Sequence, residues 1–214
     1  MAHKQLNEML ANIEAECRYT QGYTGIQEFK PEIMAAIARV PREEFVPKSF
    51  KPWAYENNPL PIGDGQTISQ PFIVALMTDL LCPDKDDVIL EVGTGSGYQA
   101  AILSQLVSKV YSLEIVPSLA AKAEQILKKL GCQNVEIGQG DASRGWVEYS
   151  PYDGIIVTAA ATQIPWPLIE QLKPGGRMVI PVGKPYFHQE LTLVRKNEDG
   201  ELDIRDILGV AFVP

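Results

Sequence analysis

The sequence predicts an α/β fold: a Rossmann-like, mostly parallel sheet that closes in an antiparallel C-terminal hairpin and is preceded by an N-terminal helical extension. Three observations predict it. Short β-branched runs alternate with helical patterns from residue 88 to residue 182, the order that gives a parallel sheet with crossover helices. One run leads through a glycine triplet straight into a helix. Beyond residue 182 the helices stop, and two alternating runs flank Asn197-Glu198-Asp199-Gly200, which reads as a hairpin.

Leu6, Met9, Leu10, Ile13 and Cys17 recur at three- and four-residue steps and open the chain with an amphipathic helix. Pro31 suits a first helical position, and Ile33, Met34 and Ile37 carry a second helix that stops before Pro41. Pro41 to Pro61 has five prolines and no period; with Phe45, Val46, Phe50, Trp53 and Tyr55 it reads as an ordered, extended connection. Gly63 and Gly65, then Thr67 and Ser69, form a loop ahead of a helix from Pro71 to Leu81. Two readings stand there. Ser69 or Gln70 caps that helix with Pro71 in its first turn, or the glycine-flanked hydroxyls form a lid and part of a substrate site.

The core follows. Val88 to Val92 is a buried strand interrupted only by Glu91, and Gly93-Thr94-Gly95-Ser96-Gly97 leads into a helix over Tyr98 to Leu106. Lys109 to Ile115 is a second strand with Glu114 near its end, and Pro117 opens a helix that Gly131 ends. Asn134 to Ile137 is a third strand and Tyr152 to Ala160 a fourth, nearly all apolar as a central parallel strand should be. A helix over Pro165 to Leu172, a turn at Lys173-Pro174-Gly175-Gly176 and a fifth strand over Arg177 to Val182 precede the hairpin of Glu190–Lys196 and Glu201–Val213. Residues 1–80 are expected as an extension packed on a core of residues 81–214, together one integrated domain.

A strand, a tight glycine turn and a helix N-terminus form a cradle. The glycines allow φ > 0 and close approach of a ligand, and free N–H groups with the helix dipole favour an anionic group. A dinucleotide site would put its third glycine at position 98, where Tyr98 stands; the pattern here is G-x-G-x-G. With Glu114 at the end of the next strand, suited to accept hydrogen bonds from both ribose hydroxyls, the spacing favours an S-adenosylmethionine site over a dinucleotide site. The bland alternative is a glycine turn without a ligand and Glu114 as a solvated strand end. Asp141, just after the third strand, either reads the adenine or starts a turn or cap before Trp146.

Composition bounds the partners. Of 214 residues, 45% are apolar and 21% charged, ordinary for a soluble globular chain. A formal net charge of −8 argues against a nucleic-acid backbone as the main partner. Cys17, Cys82 and Cys132 are odd in number, far apart and without C-x-x-C spacing, which fits a reducing cytoplasm with unpaired, buried thiols and no metal. Residues 1–20 hold no apolar signal core and nothing approaches a membrane span, so a cytoplasmic protein is expected. His3 and His188 are the only histidines, and no His/carboxylate or nucleophile/base pair stands out.

The chain resembles the protein-L-isoaspartate O-methyltransferase family along nearly its whole length. The residues that carry the resemblance are Val40-Pro41-Arg42-Glu43 with Phe45-Val46-Pro47, Pro59 to Gly63, Gly65-Gln66-Thr67-Ile68-Ser69-Gln70-Pro71, Leu90 to Gln99, Ile156-Val157-Thr158-Ala159-Ala160 and the closing Phe212-Val213-Pro214. The glycine loop is shared by many methyltransferases; the Gly65–Pro71 stretch is characteristic of this family. It departs from the family at Ala142, where a glycine is usual, and ends at Pro214, where relatives commonly continue, so a contact from a longer tail is expected to be missing.

The resemblance implies a class I methyltransferase sheet and transfer of the S-adenosylmethionine methyl group to the α-carboxylate of an L-isoaspartyl residue in an aged protein or peptide. The ester then closes to a succinimide unaided, and hydrolysis returns part of it to aspartate. Glu91, Gly93, Thr94, Gly95, Ser96, Gly97, Glu114, Asp141 and Ala142 are the implied cofactor contacts. Thr67 and Ser69 are the implied catalytic residues, with Ile68 and Val213 beside them at the substrate. The absence of a base then makes sense, because a carboxylate with a pKa near ~3.5–4 is already ionised at neutral pH. What remains is positioning, which can lower a barrier by up to roughly 7–11 kcal/mol. The expected partners are isoaspartyl proteins, met by a monomer, with neither nucleic acid nor membrane. A methyltransferase for another carboxylate or small molecule, or a non-catalytic adaptor on the cofactor fold, are the competing readings.

Overall fold

The computed structural model describes residues 2–185 and 187–213; Pro214, the last residue of the closing triplet, lies outside the described residues. The apolar positions of the first segment converge on one side of α1 (Ala2–Thr24), burying Met9, Ile13 and Cys17 while Tyr19 and Tyr23 stand outward. Pro31 starts α2 (Pro31–Arg39), whose Ile33, Ala36 and Ile37 are buried; Glu32 in its first turn and Arg39 in its last suit the helix dipole. The expected extended connection contains two 3-10 turns, Arg42–Phe45 and Lys48–Trp53. Arg42 explains why this stretch is ordered without a period. Its fully buried guanidinium donates to the carbonyls of Ala54 (2.8 Å) and Asn58 (3.2 Å) and lies 5.0 Å from the Tyr98 ring centroid.

β1 (Leu60–Gly63) and β2 (Gln66–Ile68) pair as a separate antiparallel hairpin, where a loop was expected. Then come α3 (Pro71–Leu81), β3 (Val88–Val92), α4 (Tyr98–Leu103), β4 (Lys109–Glu114), α5 (Pro117–Lys129), β5 (Val135–Gln139), β6 (Tyr152–Val157), α6 (Trp166–Gln171), β7 (Leu172–Gly183), β8 (Gln189–Lys196) and β9 (Leu202–Val210). α4 is shorter than the expected Tyr98–Leu106 because its end tightens into i→i+3 bonds, Gln105 N–H to Ile102 and Leu106 N–H to Leu103. The expected turn at Lys173–Gly176 is not a separate connection. β7 opens at Leu172 opposite Tyr152 and resumes at Arg177 opposite Gly154, so those four residues bulge from within the strand.

The seven strands lie in the order β5-β4-β3-β6-β7-β8-β9. β5 through β7 are parallel, and β8 runs antiparallel to both β7 and β9. The chain steps outward from β3 to β4 and β5, then returns past β3 to β6 and β7. That reversal makes the carboxyl ends of β3, β4 and β6 a switch point, where open α/β sheets hold their ligands. Side-chain alternation divides the core between the two faces. Ile89, Ile156 and Val179 join α1, α2, α3 and α4 in one cluster; Leu90, Ile155 and Met178 join α6 in the other. Cys17 is buried, but Cys82 and Cys132 are only half-buried, since each follows a helix end near solvent; all three are free thiols. Among the described residues no helix is long and apolar enough to cross a membrane.

Candidate active site

A cavity of about 760 Å³ opens at the carboxyl ends of β4, β3 and β6. The glycine loop forms its floor. Gly93, Gly95 and Gly97 have φ of 98°, 53° and 87°, and a Cβ on Gly93 would stand 2.8 Å from the Thr158 hydroxyl. Four of the five loop N–H groups, however, are engaged by the protein itself. Gly93 and Thr94 donate to the Leu113 carbonyl (2.9 and 3.1 Å), Gly95 to the Glu114 carboxylate (2.7 Å), and Gly97 to the Thr94 carbonyl (2.8 Å). The expectation of free N–H groups favouring an anion is therefore corrected at those four positions. The loop is a surface for close approach, which suits a nucleoside better than a diphosphate.

Glu114, 5% exposed, is held by both oxygens: Oε2 by the Gly95 N–H and Oε1 by the Val116 N–H at 2.8 Å. A carboxylate has about four lone-pair sites, so two acceptor positions remain for the vicinal hydroxyls of a ribose. Glu91, on the adjacent strand, is fully buried and lines the same cavity. Its Oε2 accepts from the Ser112 hydroxyl, which also meets the Thr94 hydroxyl at 2.6 Å. Burial pushes the Glu91 carboxyl up to about 8, with Ser112 pulling the other way. The Ala100 N–H also draws on this carboxyl, but the second oxygen, buried, makes no hydrogen bond of ordinary geometry among the described residues. A polar atom left so, on the lining of this cavity, fits a ligand with polar groups of its own.

Asp141 and Ala142 line the cavity as well. Asp141 caps the short turn Ala142–Arg144, accepting from the Ser143 N–H at 3.0 Å; the Ser143 hydroxyl, and then that N–H, hold its carboxyl below the usual range. The cap reading of Asp141 thus holds in the same place as the cavity reading.

Thr67 and Ile68 lie on β2 and Ser69 on the link to α3, all three at the cavity wall with Ser96. The cap position of α3 is Gln70, whose side chain makes no cap bond, so the reading of Ser69 as a side-chain cap is corrected. At the hairpin tip, the Ser118 hydroxyl donates to Asp64 at 2.8 Å and ties β1–β2 to the start of α5. Val213 also reaches the cavity; its carbonyl accepts from the Ala160 N–H at 2.9 Å.

The sequence did not disclose what fixes that tail. Gln189, 1% exposed, donates to the Phe212 carbonyl (3.0 Å) and accepts from the Phe212 N–H (2.7 Å). Trp166 at the cavity mouth was also missed, for want of any periodic signal. A His/carboxylate pair does exist, His188 with Glu190 at 2.6 Å, but it is on the exposed surface and outside the cavity lining.

A parallel sheet with its order reversed beside β3, a G-x-G-x-G loop and an acid ending the next strand define a class I S-adenosylmethionine-dependent methyltransferase. Residues 20–214 match the family model for protein-L-isoaspartate(D-aspartate) O-methyltransferase. A protein-L-isoaspartate O-methyltransferase 2 from Syntrophobacter fumaroxidans is 56% identical over 97% of this chain and 84% of its own. One from Nitrosococcus oceani is 54% identical over 99% and 96%. A solved protein-L-isoaspartate O-methyltransferase superposes with a TM-score of 0.84 at 30% identity, over 97% of this chain and 65% of that one. A Plasmodium falciparum chain of the same family name, in complex with S-adenosyl-L-homocysteine, superposes with a TM-score of 0.76 at 22% identity and supports the fold. The chain belongs to the protein-L-isoaspartate(D-aspartate) O-methyltransferase family.

Proposed function

We propose that this chain transfers the methyl group of S-adenosylmethionine to the α-carboxylate of L-isoaspartyl residues in damaged proteins and peptides, which starts repair through a succinimide. Family membership over residues 20–214 is the observation that carries the reading. The cofactor supplies a methyl group activated on a sulfonium. We assign its nucleoside end to Glu114 and the Asp141–Ala142 turn, and its remaining contacts to Glu91, Thr94, Ser96 and the backbone of the three glycines.

Thr67 and Ser69 take the acceptor. Their hydroxyls orient an anion that is already ionised, so no residue has to remove a proton, and the work of the site is alignment. Ile68 and Val213 flank the peptide. We further read the 1–80 extension and the 81–214 core as one integrated domain, acting as a cytoplasmic monomer with no nucleic-acid partner, in line with the net charge of −8.

The test is a pair of peptides that differ only in the linkage at one aspartate. The isoaspartyl form exposes an α-carboxylate one methylene away from where the normal side chain carries its acid. A site built to hydrogen-bond that group leaves its own polar atoms unpaired with the wrong isomer. Radiolabel from the methyl donor should enter the isoaspartyl peptide alone; equal labelling of both would refute the repair reading.

A further inference from the structure

Outside the cavity, one carboxylate of the first helix reaches the acceptor stretch by hydrogen bonds. Glu16 is half-buried on α1, four residues ahead of the segment that matches the family model. Its Oε2 accepts from Asn57 Nδ2 at 2.6 Å and from Gln70 Nε2 at 2.9 Å. Asn57 in turn accepts, through Oδ1, from the Phe72 backbone N–H at 2.9 Å. Phe72 is the second residue of α3, where a helix has no internal acceptor for its N–H. Gln70 directly follows Ser69, and its extended backbone (φ −53°, ψ 135°) turns the chain from β2 into α3.

The chemistry of primary amides gives these contacts a direction. An amide can sit either way round, offering oxygen or NH₂. Glu16 takes the NH₂ of Asn57 while the Phe72 N–H takes its oxygen, so the two contacts agree on one orientation of the amide. Without Glu16, the Asn57 NH₂ loses its acceptor and only the Phe72 N–H still orients that amide, while Gln70 loses its tether. Both ends of the Ser69 link would then be looser. By contrast, none of the cofactor contacts assigned above touches Glu16.

We propose that Glu16 is a positioning residue for methyl transfer: through Asn57 and Gln70 it fixes the backbone that presents Ser69. The inference rests on the reading that Thr67 and Ser69 hold the substrate carboxylate. Glu16→Ala should lower kcat/KM for an isoaspartyl peptide roughly tenfold, the range expected for one or two lost charge-assisted hydrogen bonds. The affinity for S-adenosylhomocysteine, by calorimetry, should stay within about twofold, a split that general loosening of the fold would not give. Glu14→Ala, at an exposed position on the same helix, should match wild type. The double variant with Gln70→Ala should lose clearly less than the product of the two single losses, because both act in one network. If Glu16→Ala does not fold, Glu16→Gln, which keeps one acceptor oxygen, should show a smaller loss with the same split. A peptide kcat/KM within about twofold of wild type in the Glu16 variants would overturn the proposal, as would a parallel loss of cofactor affinity. Ser69→Ala keeps the two ideas apart. A fast Ser69 variant with a slow Glu16 variant would refute the role of Ser69 and keep that of the link; the reverse would refute Glu16 alone.

Discussion

At the cofactor end of the cavity each wall continues the sheet: Glu91 and Glu114 stand on adjacent parallel strands, and the loop between them is bonded to the end of β4. The end to which the acceptor is assigned hangs instead on a hairpin of four- and three-residue strands outside the main sheet. That hairpin is held at its tip by Ser118, and the link that follows it is held by Glu16. The difference teaches that the two ends answer to different forces. Burial dominates the first, so a substitution there alters stability and cofactor affinity together. The hairpin of the second is itself anchored by buried Leu60, Ile62 and Ile68, but the link from it into α3 is fixed by side-chain hydrogen bonds, so a substitution of those polar groups should alter turnover of peptide with the fold intact.

The largest expected departure is at Glu91. Its carboxyl ionises at about 8 in the folded chain, against roughly 4.5 when solvated. Between those values the unfolded chain releases a proton that the folded chain keeps. Stability is therefore fully present below about pH 4.5 and falls as pH rises through 8, by roughly 3–5 kcal/mol in all. Glu91→Gln should lack that decline, so urea unfolding at about pH 5 and pH 8 should show the variant gaining on wild type at the higher pH. Parallel profiles would mean that Glu91 is ionised throughout and that burial does not govern this wall.

Glu114 gives a smaller effect of a different kind. Glu114→Ala removes charge-assisted acceptors and should cost about 1–3 kcal/mol in S-adenosylmethionine binding. Calorimetric titration showing equal affinity for both proteins would remove Glu114 from the cofactor site. Smallest of all should be the response of kcat to pH. With no base assigned to the acceptor, kcat should stay within about twofold from pH 6 to 7, below the range in which Glu91 titrates. A steep rise centred near 7 would reveal a titrating group at the acceptor end.

How much of this was legible in the sequence follows the same divide. The strand over Val88–Val92, the glycine loop and Glu114 were legible because local spacing carries them: period, turn residues and a fixed offset. The hairpin of β1 and β2 was not, because a four-residue strand containing Pro61 and a three-residue partner are too short to show alternation, and Gly63 and Gly65 read as loop. The Lys173–Gly176 segment has the composition of a turn, and only its pairing with β6 draws it into β7. Contacts between distant residues were out of reach altogether. Ser112 with Glu91, Gln189 with Phe212 and Glu16 with Gln70 join positions 21, 23 and 54 residues apart, and no periodic pattern marks them. The resemblance to a family pointed to Ser69; it gave no account of what holds it.

The central claim, that the acceptor end is separable from the cofactor end, meets its most direct test in Ser69→Ala. Steady-state methylation of one isoaspartyl peptide and calorimetric binding of S-adenosylhomocysteine would be measured on the same preparations. The separation predicts a loss of kcat/KM on the order of tenfold or more from lost orientation, with cofactor affinity within about a factor of three. A variant as fast as wild type, or one that loses cofactor affinity in step with activity, would contradict it.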